Sequence, residues 1–475
     1  MLFNSLQFWL FFAFVLGVYS LLGRRGQNLF LLAASYFFYA CWDWRFLGLL
    51  LLSSTTDWFL GAAISRVRGT PQAKRWVALS VLINLLFLGY FKYCNFLVGS
   101  FNGLLESAGL DPLRFHLDVV LPVGISFYTF QSISYIVDVY RGEVEAAKDP
   151  VDFALFVAFF PHMVAGPIMP SRALLPQMQQ PRHMRWSDIS SGFHLAMWGL
   201  FKKVVIADNL AVISGSVFSS SWLFRPGHMH LGALAFAFQI YCDFSGYTDI
   251  ARGVARIMGF TLMENFKHPY FATSITDFWR RWHVSLSSWL RDYLYIPLGG
   301  SRKGTLRTYV NLFLTMVLGG LWHGANWTFV IWGAYQGGLL VLERLLGGPR
   351  LIASWAEARS SGARALFVVR VLVTFHFVCL GWIFFRCEDI GFLGKMVRSF
   401  MDVRGWLNMP SPGVGRALLL IAHLLCVDAA DHLARREQSM LGAPWAVRAA
   451  LYALAFYVFL LFGRFESNAF IYFQF

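Results

Sequence analysis

The sequence predicts an all-α, polytopic integral membrane protein with about eleven transmembrane helices plus re-entrant or interfacial helices, all in one transmembrane domain over residues 1–475. Three observations carry that prediction. First, 57% of the 475 residues are hydrophobic and 18% aromatic, while 14% are charged, against roughly 25% charged in an ordinary soluble domain. With 48 Phe and 18 Trp, the apolar surface exceeds what one aqueous globule buries, and the bilayer becomes part of the solvent. Second, apolar stretches of about 20 residues, the length that crosses a hydrocarbon core, recur along the whole chain. Third, helix-breaking residues cluster in the middle third, at Pro161, Gly166, Pro167, Pro170, Pro269, Pro297, Gly299, Gly300, Gly319, Gly320 and Gly324. Irregular backbone at membrane depth must be sheltered by protein or line a wet cavity, so a cavity-bearing centre is expected.

In chain order the apolar stretches cover about 6–22, 27–42, 46–64, 77–98, 119–137, 151–168, 193–206, 231–247, 309–346 as a broken pair, 366–385, 416–433 and 446–463. The first resembles a signal peptide in length. No A-x-A-like site follows it and further spans come directly after, so it reads as retained. Arg24 and Arg25 follow the first span, and Arg66, Arg68, Lys74 and Arg75 follow the third. Loops two spans apart share a side, and basic loops stay cytoplasmic, which puts the N-terminus outside and the Cys41 to Trp44 turn in an external aromatic belt. The net charge of 40 − 26 = +14 fits this bias and anionic lipid better than nucleic acid. The six cysteines are far apart with no C-x-x-C pair, so neither a disulfide frame nor a zinc cage is expected. The polar, Gly-rich stretch around Gly347 to Gly362 is the one weak boundary, linking parts of a single bundle.

Four constellations place ionisable groups in these apolar surroundings, where each is costly unless paired or hydrated. The run Tyr309 to Leu346 has 38 residues and would make a helix of about 57 Å, nearly twice the hydrocarbon thickness. It must break, and the glycines flanking His323 are the place; an imidazole there either moves protons or satisfies a carbonyl in the bend. Next, Thr276 to Asp292 reads as one helix. Trp279, Trp282, Leu286 and Trp289 form an aromatic stripe beside a basic strip of Arg280, His283, Ser287 and Arg291. Such a helix suits the membrane interface, as an anchor or as a phosphate-binding face. The third, Gln239 to Asp249, sets Asp243 and Asp249 at the end of an apolar run, where they pair with the arginines of the second segment or polarise a histidine. The structural ion pair is the weightier reading. The fourth is the proline-broken helix end Phe160 to Pro167, in which His162 reads as a structural turn histidine.

No H-E-x-x-H helix, Walker A loop, G-x-S-x-G elbow, Cys/His cluster or H-x-x-x-x-D pattern at His283 or His323 is present, which leaves metal chemistry and nucleotide hydrolysis unsupported. The segments Leu121 to Gln131, Pro161 to Pro167, Tyr241 to Asp249, Asn265 to His283, Asp292 to Gly300, Trp322-His323-Gly324 and the ending Phe470 to Phe475 together resemble the membrane-bound O-acyltransferases, in the bacterial branch that serves alginate O-acetylation. The likeness spans nearly the whole chain and is most specific over 121–346.

The resemblance implies a helical bundle with a central funnel, with the family's near-invariant histidine at His323 and the second histidine of this branch at His283. It also implies transfer of an acetyl group from a thioester donor to a hydroxyl that ends on an exported polysaccharide, in the cytoplasmic (inner) membrane. The partners it implies are a periplasmic or membrane-anchored SGNH-like transferase and the exopolysaccharide synthesis machinery. His323 would then act as general base on the acceptor hydroxyl, or as nucleophile through an acetyl-histidine. Oxyanion donors are a backbone N–H freed between Gly319 and Gly324 or the Asn326 side chain, while Arg280, Arg281 and Lys303 hold the phosphates of acetyl-coenzyme A. His283 relays a proton, orients the thioester or lines the donor tunnel. Rival readings are a transporter, a scaffold for a secreted transferase, acetylation of cellulose or another glycan, and D-alanyl transfer to teichoic acid.

Overall fold

In hydrocarbon a backbone amide has only its own chain to bond with, and the chain accordingly folds as helices. The computed structural model describes residues 1–117, 120–163, 166–219, 224–347, 360–434, 437–465 and 470–471, and among these there is no β-strand. Most of the stretch around 347–362, and the ending beyond Ile471, lie outside the described residues.

Two compact units emerge, one of residues 1–190 with 254–263 and one of residues 191–253 with 264–475. The first holds α1 (Leu6–Ser20), α2 (Arg24–Asp43), α3 (Leu47–Arg66), α4 (Pro71–Leu88), α5 (Cys94–Ser107), α6 (Ile125–Arg141), α7 (Pro150–Ala158), α8 (Phe160–Met163) and α9 (Ser171–Gln179). In chain order there follow α10 (Trp186–Phe201), α11 (Asp208–Phe218), α12 (Pro226–Ile257), α13 (Ile275–Arg281), α14 (Val284–Leu290), α15 (Thr305–His323) and α16 (Trp327–Leu345). The chain closes with α17 (Ser361–Arg386), α18 (Ile390–Met401), α19 (Ser411–Ala434) and α20 (Trp445–Phe462). Among the described residues five stretches are long and apolar enough to cross a membrane, at Arg24–Arg66, Pro71–Ser107, Ser361–Arg386, Val414–Ala434 and Trp445–Phe462. The 77–98 stretch belongs to a longer bent rod, α4 and α5 joined by a π-helical turn at Gly89–Tyr93.

Several polar groups buried in the first unit find their partners within it. Asn28 donates to Asp152 (2.6 Å) and to the Met178 carbonyl (2.8 Å), and the Tyr19 hydroxyl donates to the Met258 carbonyl (2.7 Å). His162, buried in α8, bonds through Nε2 to Gln131 Oε1 at 2.9 Å, and Gln131 donates onward to the Phe156 carbonyl. That is the arrangement of a turn histidine fastening two helices.

In the second unit, helices approach closely where side chains are smallest. A Cβ on Gly246 of α12 would lie 2.7 Å from the Gly199 carbonyl oxygen of α10, so these backbones meet through glycine alone. The same device closes the α15–α16 hairpin, where a Cβ on Gly320 would strike the Phe329 carbonyl and one on Gly333 the Met316 carbonyl. Where α10 gives way to α11, a π-helical turn at Lys202–Ala207 presents two consecutive lysines to α12. Lys202 binds Asp249 at 2.6 Å, and Lys203 binds both Asp208 and Asp243 at 2.8 Å. Asp249 also meets Arg252, which is paired with Glu437. Asp243 and Asp249 therefore pair with the π-turn lysines rather than with the arginines of 276–292. A carboxylate at this depth takes whichever cation the packing delivers, and the Gly199–Gly246 approach delivers the two lysines.

Removing one member of so buried a set strands the others, at a cost of about 3–5 kcal/mol. Lys203→Met should therefore abolish recovery of folded protein in detergent. Adding Asp208→Asn and Asp243→Asn should restore it, as read by size-exclusion monodispersity and the thermal midpoint.

Candidate active site

The α15–α16 run breaks at Gly324, whose backbone is extended, and α16 restarts at Trp327. Asn326 provides the restart: its Oδ1 accepts from the Thr328 N–H at 3.1 Å, and its Nδ2 donates to the Glu388 carbonyl at 3.3 Å. Both ends of the Asn326 side chain are thereby engaged in building the turn. His323 is the last residue of α15 and is 5% exposed.

The 276–292 segment is not one continuous helix. α13 ends at Arg281, Trp282 is extended, and His283 has φ +43°, a left-handed conformation that a residue with a side chain adopts only when its surroundings impose it. The imposing partner is the 265–267 stretch. The Val284 N–H donates to the Asn265 carbonyl (3.0 Å), the Lys267 N–H to the Arg281 carbonyl (2.9 Å), and Ser285 donates to Asn265 Oδ1 through its N–H (3.1 Å) and hydroxyl (2.9 Å). The break turns His283 away from any exposed basic strip: it is fully buried, Trp282, Leu286 and Trp289 are buried, and Trp279 is half-buried against Trp332 at 5.8 Å. The aromatic stripe thus faces protein, not lipid.

The two breaks bring the histidines together. Their ring centroids are 6.5 Å apart. His323 meets Trp322 at 5.0 Å, Trp332 at 5.1 Å and Phe385 at 5.3 Å, each nearly edge to face, and His283 meets Phe244 of α12 at 4.6 Å. Trp382 joins Trp332 (6.2 Å) to Trp282 (4.8 Å). Two imidazoles thus share an aromatic enclosure drawn from α12, α15, α16, α17 and the His283 break. Such an enclosure restricts water and strengthens any charge interaction inside it. The buried indole N–H of Trp332 has no hydrogen-bond partner among the described residues.

The remaining expected site residues fall elsewhere. Arg280 is exposed at the end of α13, and Arg281 holds Asp277 through Nε at 2.8 Å. Lys303 is exposed ahead of α15, separated from His323 by the full helix, about 28 Å. Asp243 and Asp249 lie on α12 in the ion pairs already described, and the Ile471 N–H donates to Asp243 at 2.8 Å. Three contributors went unread in the sequence: Asn265, Trp332 and the Lys202–Lys203 pair. The lysines had a signal, since two cations in an apolar run demand partners.

The family model described as MBOAT, membrane-bound O-acyltransferase family, matches residues 147–387. The probable alginate O-acetylase AlgI of Pseudomonas putida is 46% identical over 434 residues, which is 89% of this chain and 86% of that protein. Its namesake in Azotobacter vinelandii is 47% identical over 409 residues, 86% of this chain and 79% of that protein. A peptidoglycan O-acetyltransferase of Helicobacter pylori is 32% identical over 498 residues, 94% of this chain and 91% of that protein.

If Asn265 imposes the His283 conformation, its loss must be felt in the fold. Asn265→Ala leaves the Ser285 N–H without its acceptor and should cost about 1–3 kcal/mol. Ser285→Ala keeps that N–H bond and should cost about 1 kcal/mol or less. Thermal unfolding of the two variants side by side gives the comparison.

Proposed function

The chain belongs to the membrane-bound O-acyltransferase family and is an O-acyltransferase, and from that premise we propose that it moves an acetyl group from cytoplasmic acetyl-coenzyme A to a hydroxyl, for O-acetylation of an exported polysaccharide such as alginate. The single observation that carries this reading is the spacing of His323 and His283. With centroids 6.5 Å apart, their nearest nitrogens are separated by at least roughly 4 Å, too far for a direct hydrogen bond, and one oxygen placed between facing nitrogens would bond both. The acceptor hydroxyl is that oxygen.

A ring nitrogen of His323 takes the hydroxyl proton while the oxygen attacks the thioester carbonyl carbon. The resulting oxyanion collapses with cleavage of the carbon–sulfur bond, and the thiolate recovers the proton from His323. The products are an acetate ester and free coenzyme A. His283 holds the acceptor oxygen on the line of attack. The Trp332 indole belongs to a ring packed against His323 and has its N–H to give. It is our candidate oxyanion donor, with Asn326 occupied at the turn. Arg280 and Arg281, close to His283 in the chain, meet the donor phosphates, and Lys303 meets the donor only at its remote end.

In this reading the protein makes about eleven crossings of the inner membrane. It works beside the polysaccharide synthesis machinery and hands acetyl to an SGNH-like periplasmic or membrane-anchored transferase. The names of the Pseudomonas and Azotobacter relatives favour alginate as the acceptor.

Ester-linked acetate on the exported polysaccharide tests this. His323→Ala at unchanged membrane level should lower it at least about 10²-fold, and Trp332→Phe, which keeps the ring and loses the donor, by about 10- to 10²-fold. Acetate unchanged in His323→Ala would remove the catalytic assignment.

A further inference from the structure

The first unit contains an ionisable group with no place in acyl transfer. Asp57 is the eleventh residue of the 20-residue α3, about 15 Å from either end of that helix, and it is 1% exposed. Both carboxylate oxygens act as acceptors. Oδ1 takes the Ser80 hydroxyl at 2.6 Å, and the Asn84 amide donates to Oδ1 at 3.1 Å and to Oδ2 at 3.0 Å. Ser132 of α6 also faces the carboxylate. Among the described residues no Lys, Arg or His side chain pairs with Asp57. A lone carboxylate in the middle of an apolar helix costs several kcal/mol unless its charge is met.

Around it, oxygen atoms are in surplus. Asn84 Oδ1 and, one turn before Asp57 on the same face of α3, Ser53 Oγ are buried without a hydrogen-bond partner among the described residues. Ser53, Asp57, Ser80, Asn84 and Ser132 are each at most 2% exposed. Neutral and anionic oxygens without hydrogens to accept are what a hard cation coordinates. One carboxylate balances one positive charge, and a divalent ion would leave a net charge buried in the helices.

We propose that Asp57, with Ser53, Ser80, Asn84 and Ser132, binds a sodium ion between α3, α4 and α6. The ion supplies the missing counter-charge, and its coordination replaces the unmade hydrogen bonds of Ser53 and Asn84. The site lies entirely in the first unit, and it stands or falls independently of the acyl-transfer reading.

The test is thermal unfolding of the purified full-length protein in detergent, with NaCl exchanged for choline chloride at constant ionic strength and pH. The wild type should gain about 3 °C or more between 1 and 100 mM sodium. Asp57→Asn should fold and show no sodium-dependent gain. Should Asp57→Asn not be recoverable, Ser53→Ala with Ser132→Ala keeps the carboxylate and should raise the half-saturating sodium concentration at least tenfold. A wild-type midpoint that is the same in sodium and choline overturns the proposal, as does a sodium response that survives in Asp57→Asn or is unshifted in the double serine variant. A midpoint that follows pH but not sodium would assign the counter-charge to a proton and overturn it equally.

Discussion

A polar group removed from water into hydrocarbon has to find its partner within the chain, and this constraint shapes the structure. Regular helix satisfies it along the spans. Wherever helix stops, side chains take over: Asn326 caps the restart of α16, Asn265 receives both donors of Ser285, and the lysines of the π-turn meet the aspartates of α12. The breaks are therefore held by side-chain bonds where the helical ladder stops. Because a bonded break is rigid, it is also where a reactive side chain is held to a fixed position.

The aromatic residues do a different part of the same work. Edge-to-face contacts of the kind around His323 contribute roughly 0.5–1.5 kcal/mol each beyond their area. An enclosure of Trp322, Trp332, Phe385 and Phe244 thus fixes both rings. Two of these residues are brought by helices distant in sequence, α12 and α17, so the glycine approaches that pack the helices also set the histidine spacing.

How much of this was legible in the sequence depends on whether the determining feature is local. The break beside His323 was, because a 38-residue apolar run is too long for one span and its glycines mark where it yields. The break at His283 was not. No glycine or proline stands there, and the left-handed turn is imposed by Asn265, 18 residues earlier, so helical periodicity ran the stripe straight through it. Asp243 and Asp249 were visible as costly charges, but their partners Lys202 and Lys203 lie some forty residues upstream. Only the close crossing of α10 and α12 reveals that pairing. The aromatic content pointed to the bilayer, yet the Trp282, Leu286 and Trp289 stripe faces protein. Periodicity gives a face and says nothing of what covers it.

The two histidines differ in the end of a helix each occupies, and this separates their roles. His323 is the last residue of the 19-residue α15, where unpaired carbonyls concentrate negative potential and favour a positive charge. In the proposed mechanism that charge develops as His323 takes the acceptor proton, so the helix end would stabilise the transition state more than the ground state. His283 lies between the C-terminal end of α13 and the start of α14, where opposing helix ends act on it and a positive charge gains little. An imidazole there is suited to remain neutral and hold an oxygen in place. The direction of α15 thus supports the proposed role of His323 as base, and the conformation that Asn265 imposes on His283 supports its proposed positioning role.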